Sequence, residues 1–313
     1  MSLAAVTTLP GMAWARRATR FEVPDEAARV AAAGSLEGVP EGLRPAFTAG
    51  ADDLPVAEPR AGDWLAEHEE DGQTFARFKR ERRHRPTSER RSIAVLPLGR
   101  LGEASPLAAV MAFGERYFGM PLVRRLTTPV ETLGTRSRVH MGRRQYHTGA
   151  ILDAMIRRVP DDAYCMIAVT MADLYPDPDW NFVFGQARLF QRVGVYSFAR
   201  YDPAFHGEAH VADTPRLILR RSLKLLAHEV GHMFGVEHCI HYTCVMNGTN
   251  NLEETDRSPL HPCPVCLRKL HDSIGFDVAE RERGLAEFYR AHGLVPEAEV
   301  AERRLARLVA ARR

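Results

Sequence analysis

The sequence is poor in cysteine, in net charge and in long apolar runs, and each shortage removes a class of protein from consideration. There are 5 cysteines in 313 residues, and none precedes Cys165. That pattern is not the framework of a disulfide-stapled secreted scaffold. A formal net charge of +2 gives no global attraction to nucleic acid or to an anionic membrane. No apolar run approaches the roughly 18–20 residues of a membrane span. Residues 1–10 are weakly apolar but carry no basic residue, so no signal peptide is expected and the chain is expected to be cytoplasmic. No internal repeat or low-complexity segment is evident. What remains is ordinary for a folded soluble chain, 45% hydrophobic and 26% charged, and long enough for one large domain or a domain with extensions.

Four of the five cysteines fall within residues 228–266, together with five histidines, three of them at 228, 232 and 238, and the chain is organised around this stretch. It opens His228-Glu229-Val230-Gly231-His232. On a helix, residues four apart share a face, so both imidazoles can reach one ion while Glu229 stands beside its water. The preceding run supports the helix: Pro215 suits its first turn, and Leu219, Leu223, Leu226, Val230 and Met233 recur at threes and fours. Gly235 can end the helix in a left-handed conformation and let the chain return to offer His238. Three such ligands leave one zinc position for water, whose pKa falls to about 7. Met246 could then form an apolar base beneath the imidazoles. Alone, the pentapeptide also suits a helix with two surface histidines; the ordered addition of Gly235, His238 and Met246 selects the metal reading.

Cys239 and Cys244, then Cys263 and Cys266, are two pairs with structural-zinc spacing. Short-loop disulfides or a redox C-x-x-C are the other readings. With no secretory signal evident, a closed four-cysteine zinc site is preferred. His238 and Cys239 are adjacent, so the cysteine site is expected to fix where His238 and Met246 sit. Cys165 lies in an apolar run and reads as a free core thiol.

The stretch resembles the archaemetzincin (archaelysin) family, metzincin-type zinc peptidases whose signature joins H-E-x-x-H-x-x-G-x-x-H to C-x-x-x-x-C, a methionine turn and C-x-x-C. The resemblance implies catalytic-zinc ligands at His228, His232 and His238, a general base at Glu229 and a turn methionine at Met246. It also implies second-zinc ligands at Cys239, Cys244, Cys263 and Cys266, hence two zinc ions per chain, one catalytic and one structural. It extends through residues 144–152, 173–175 and 182–185, covering roughly residues 91–280. The activity implied is hydrolysis of peptide bonds in peptides or proteins by water that Glu229 deprotonates. Gly248 stands where some metzincins carry a tyrosine two residues after the turn methionine, so no oxyanion-stabilising group is identified.

Along the chain, residues 21–33 read as a helix capped near Asp25, 34–59 as loop, and 63–71 as a short helix ended by Gly72. Residues 76–91 hold eight Lys/Arg against two Glu; with Phe78 the lone aromatic, we read a solvated segment rather than a nucleic-acid arm. Strands are expected at 92–99, near 123–130 and at 164–171, with helices over 106–113 and 144–159. Strands alternating with helices predict an α/β fold. With the resemblance this becomes a metzincin-like zincin: a mixed, largely parallel sheet, an active-site helix and a C-terminal helical part. Residues 181–201 read as an edge hairpin, which either receives an extended peptide or merely closes the sheet. His140, His147, His206 and His210 are read as hydrogen-bonded or surface histidines.

The expected organisation is an N-terminal extension over 1–90, a catalytic domain over 91–293 and a charged helix over 294–313. With no cysteine in the extension, a thiolate cannot silence the metal. An acidic side chain from residues 51–55 could, in which case truncation before Arg91 would raise activity. Two alternatives remain open: a catalytically idle, metal-stabilised peptide-binding protein, or a nucleic-acid-associated one.

Overall fold

Runs that are apolar at every position, rather than at alternate ones, build the centre of the fold. In this computed structural model, which describes residues 21–81, 84–102 and 105–312, strands β1 (Ser92–Leu98) and β5 (Ala163–Thr170) are buried along their whole length. They pair in parallel, Ile93 opposite Cys165 through to Leu98 opposite Thr170. Burial on both faces is what parallel central strands require. Alternate residues serve two cores: Ile93, Val95, Ile167 and Val169 face one, and Ala94, Leu96, Met166 and Ala168 the other. The early basic residues Arg82 and Arg83 and the apolar start at residues 1–10 lie outside the described residues.

β2 (Leu122–Arg124), β7 (Gly185–Arg188) and β8 (Val193–Ser197) complete a five-stranded sheet of order β2-β1-β5-β8-β7, parallel except for β7. A second sheet, β3 (Ser137–His140), β4 (Arg143–His147) and β6 (Asp173–Tyr175), was not foreseen. The helix expected over 144–159 is therefore two elements, β4 and then α5 (Thr148–Ile156). The His147 ring accepts from the Ala150 amide and begins α5 there. The strand expected near 123–130 stops at Arg124, and a 3₁₀ turn occupies Val130–Leu133.

Of the remaining helices, α1 (Glu26–Ala33) starts where Asp25 accepts from the Ala28 amide at 2.7 Å. α2 (Trp64–Glu67) is shorter than expected, ending well before Gly72. α3 (Phe75–Glu81) corrects the reading of the basic run as purely solvated, because Phe78 is fully buried in the core. α4 (Leu107–Phe118) packs against α6 (Thr214–Met233), whose Leu223, Leu226, Val230 and Met233 are buried at helical spacing. α7 (Leu252–Arg257), α8 (Pro264–Ile274), α9 (Val278–Ala291) and α10 (Val295–Ala310) form the C-terminal helical part. Among the described residues no helix is long and apolar enough to cross a membrane.

The segment before β1 is woven into this body. Phe47 and Phe78 belong to the same core as α6, and Trp64 is 2% exposed. Asp52 pairs with Arg303 and Asp53 with Arg304 of α10, so neither carboxylate reaches towards the histidines.

Candidate metal centres

α6 presents His228 and His232 on one face, ring centroids 4.5 Å apart. The helix ends at Gly235, whose φ of +85° is cheap for glycine alone, and the Val236 amide folds back onto the Gly231 carbonyl. That reversal brings the His238 ring to 5.3 Å from His228 and 5.1 Å from His232. One ring nitrogen of each lies within 4.8 Å of the others.

The other nitrogens identify the tautomers. Nδ1 of His228 donates to the Val245 carbonyl at 2.9 Å, Nδ1 of His232 to the Val236 carbonyl at 2.6 Å, and Nδ1 of His238 to Glu70 Oε1 at 2.7 Å. Carbonyls and carboxylates accept only, so each Nδ1 carries the proton and each Nε2 is left unprotonated. Yet Nε2 of His228 and His232 are 3.0 Å apart. Two lone pairs at that separation repel unless a cation lies between them, and tetrahedral zinc–imidazole bonds place nitrogens about 3.3 Å apart. Burial and His238 lower His228 to about 3, and burial with both neighbours takes His232 well below its usual value. The residues fit a divalent metal.

Glu229, one step round α6, is 3% exposed and its Oε2 has no hydrogen-bond partner among the described residues. Burial raises its carboxyl to about 8. It lies against β7, where a Cβ at Gly185 would stand 3.0 Å from Glu229 Oε1, so glycine there admits the carboxylate. Met246 is fully buried beneath the helix; a Cβ at Gly231 would meet its Sδ at 2.7 Å.

Cys239, Cys244, Cys263 and Cys266 are buried and unbridged, and their four Sγ atoms lie within 4.8 Å of one another. The Cys239 and Cys263 sulfurs are 3.6 Å apart, close to the about 3.8 Å edge of a tetrahedral zinc–thiolate site. Backbone amides of Met246 and Cys263 point at Cys244 Sγ. The Cys239 amide donates to the Met246 carbonyl at 2.8 Å, and Asn247 Nδ2 donates to the Cys239 and Tyr242 carbonyls. These bonds join the cysteine cluster to both His238 and Met246. Cys165 is a free, buried thiol as expected.

Sequence reasoning missed Glu70 and Trp64. Trp64 Nε1 donates to Glu70 at 2.8 Å and its ring stands edge-on to His238 at 5.0 Å. Burial pushes Glu70 up, but His238 and the Trp64 bond outweigh it and leave the carboxyl below its ordinary range. No local signal marks them, because the contact spans 168 residues. Of the other histidines, His147 caps α5, His206 meets the Arg200 carbonyl and His210 pairs with Asp202. β7 lies at the edge of its sheet as expected, but Val183 just before it is bridged to Leu174.

An unpartnered carboxylate oxygen beside neutral imidazoles, carried by the helix that ends under a largely parallel sheet, is the equipment of the zincin metallopeptidases. Comparison with known proteins narrows the class. A family model described as Peptidase family M54 matches residues 124–272. Archaemetzincin-2 of Rattus norvegicus is 35% identical over 266 residues, covering 75% of this chain and 74% of that protein. Archaemetzincin-2 of Homo sapiens is 34% identical over 266 residues with the same coverage of 75% and 74%. A crystal structure of archaemetzincin from Methanopyrus kandleri aligns with a TM-score of 0.48 and 29% identity, covering 61% of this chain and 99% of that one. The chain belongs to the archaemetzincin family. It is a zinc metallopeptidase whose substrates are peptides or proteins. Nothing in these relatives supports an idle binding module or a nucleic-acid-associated protein.

Proposed function

We propose that His228, His232 and His238 hold the catalytic zinc, that Glu229 is the general base, and that Cys239, Cys244, Cys263 and Cys266 hold a second, structural zinc. The observation that carries the reading is three imidazoles with one nitrogen each within 4.8 Å of the others while every Nδ1 is spent on an oxygen. When bound, zinc supplies a Lewis acid for the scissile carbonyl and makes water acidic enough to attack at neutral pH. Glu229 takes the proton of the attacking water on its unpartnered Oε2 and returns it to the leaving amine. Glu70 holds the His238 ring in register, and the Val245 and Val236 carbonyls do the same for His228 and His232.

Within this reading residues 91–293 carry the catalytic unit, with 1–90 and 294–313 as extensions whose described parts pack onto it. A reducing, cytoplasmic setting is part of the same proposal, supported by five unpaired thiols. The test is Glu229→Ala. The variant keeps two zinc ions per chain by elemental analysis and loses about 10²–10⁴-fold in peptide turnover. Unchanged cleavage would remove Glu229 from the mechanism, and one metal per chain would remove the second site.

A further inference from the structure

Beside the histidines α6 walls a pocket, open to solvent, that also includes Glu229. Phe184, Tyr201, Leu225 and Val245 give it apolar sides, and Lys224 and Thr255 also line it. Lys224 stands one helical turn before His228, about 6 Å along the axis.

Lys224 is only 4% exposed. Its ammonium donates to the Thr255 carbonyl at 2.6 Å and the Asp256 carbonyl at 3.3 Å. Both are neutral acceptors, and no carboxylate pairs with it among the described residues. The two nearest acids are already held by other cations: Asp256 by Arg221 at 2.6 Å, and Glu297 by Arg220 at 2.5 Å. Around this end of the pocket Arg220 and Arg221 are thus matched by Asp256 and Glu297, and Lys224 is left without a carboxylate of its own. A buried ammonium without a counter-ion is costly, and a third donor remains for an incoming group. Arg220 and Arg221 are turned onto their own carboxylates, so Lys224 is the cation left to meet a ligand.

We propose that Lys224 makes this pocket select a substrate side chain ending in a carboxylate. The proposal rests on the peptidase reading above and adds the substrate class of that site. An acidic side chain pairs with the ammonium, while its methylenes lie along Leu225 and Val245. The isosteric amide also accepts a hydrogen bond but brings no charge.

The test compares two peptides identical except for Glu or Gln at the position that a cleavage profile of the zinc-loaded protein assigns to the pocket. Wild-type kcat/KM favours Glu by at least about tenfold, the worth of a hydrogen bond to a charged group. Lys224→Arg keeps a preference for Glu, and Lys224→Met abolishes it. Binding of the same pair to Glu229→Ala protein, followed by calorimetry, gives the same ratios without turnover. If neither peptide is cleaved yet the Glu peptide binds preferentially, the catalytic reading fails and this one stands. If wild-type protein treats the two alike in binding and turnover, or Lys224→Met keeps the preference, the proposal is overturned. The wild-type comparison needs no variant to fold.

Discussion

Each imidazole of the metal cluster has spent one nitrogen, and what it is spent on decides how firmly it is held. Backbone carbonyls serve His228 and His232, but His238 depends on a side chain, Glu70. A carboxylate raises the basicity of the ring it orients and stabilises charge on it, so its removal weakens the ligand as well as loosening it. Glu70→Ala is expected to cost about 10–100-fold in affinity of the histidine site for zinc, read by chelator competition. Metal at the proposed cysteine site should be unaffected, so loss of metal from both sites together would point to unfolding instead. Lys224 gives a second test at this scale. Burial and Arg220 lower it from 10.5 to about 7, against the pull of Asp256 and Glu297 and with Arg221 adding to the fall. Below about pH 7 folded and unfolded chains both bind the proton, and the penalty of the buried charge is present in full. Between about 7 and 10.5 only the unfolded chain keeps it, so stability rises with pH across that window, by on the order of a few kcal/mol in all. Urea denaturation at several pH values checks this: the stability difference between wild type and Lys224→Met moves in favour of wild type as pH climbs. A difference that is flat, or moves the other way, contradicts the burial of a charge.

At the level of elements, the parts that could be read from the chain are those whose function depends on near neighbours in sequence. His228, Glu229, His232, Gly235, His238 and Met246 are set by one helix and one reversal, so their spacing was enough to foresee that they come together. β1 and β5 were legible because a strand buried on both faces has no polar position. β4 was not: its buried Gln145 and Tyr146 pair with Asp173 and Leu174 in another part of the chain, and the apolar spacing of Ile151 and Met155 next door read through it. Gln145 keeps its side chain on the Asp173 carboxylate and the Asn181 carbonyl, which no helical periodicity reports. The loop between α6 and α8 is the other element that depends on a distant partner. Cys239 and Cys244 close it against Cys263 and Cys266, and its backbone holds Met246 under the histidines. Cys244→Ser is therefore expected to lose one zinc per chain, lower peptide turnover and lower the melting temperature. Full activity with one metal missing would show that the loop holds its shape without the cluster.

For the molecule as a whole, the question is whether residues before β1 restrain the site or build it. Had Asp52 or Asp53 lain over the metal, removing everything before Arg91 would release activity; both carboxylates instead face arginines of α10. What the segment delivers is support from behind. Glu70 bonds the outer nitrogen of His238, Trp64 packs against its ring, and Gln73 Nε2 donates to the carbonyl of the helix-ending Gly235 at 3.1 Å. The Pro55–Tyr242 bridge ties the segment to the cysteine loop. Phe47, Trp64 and Phe78 are nearly or fully buried, and losing a buried aromatic costs about 3–5 kcal/mol. Three such losses rival the about 5–15 kcal/mol that holds a typical domain together. Truncation before Arg91 is thus expected to give a chain that binds less zinc and melts far below the full chain, or does not fold at all. Metal analysis, thermal denaturation and a peptide assay on the purified product read this directly. Higher turnover by a folded, zinc-replete truncated chain would mean that the segment is a restraint after all.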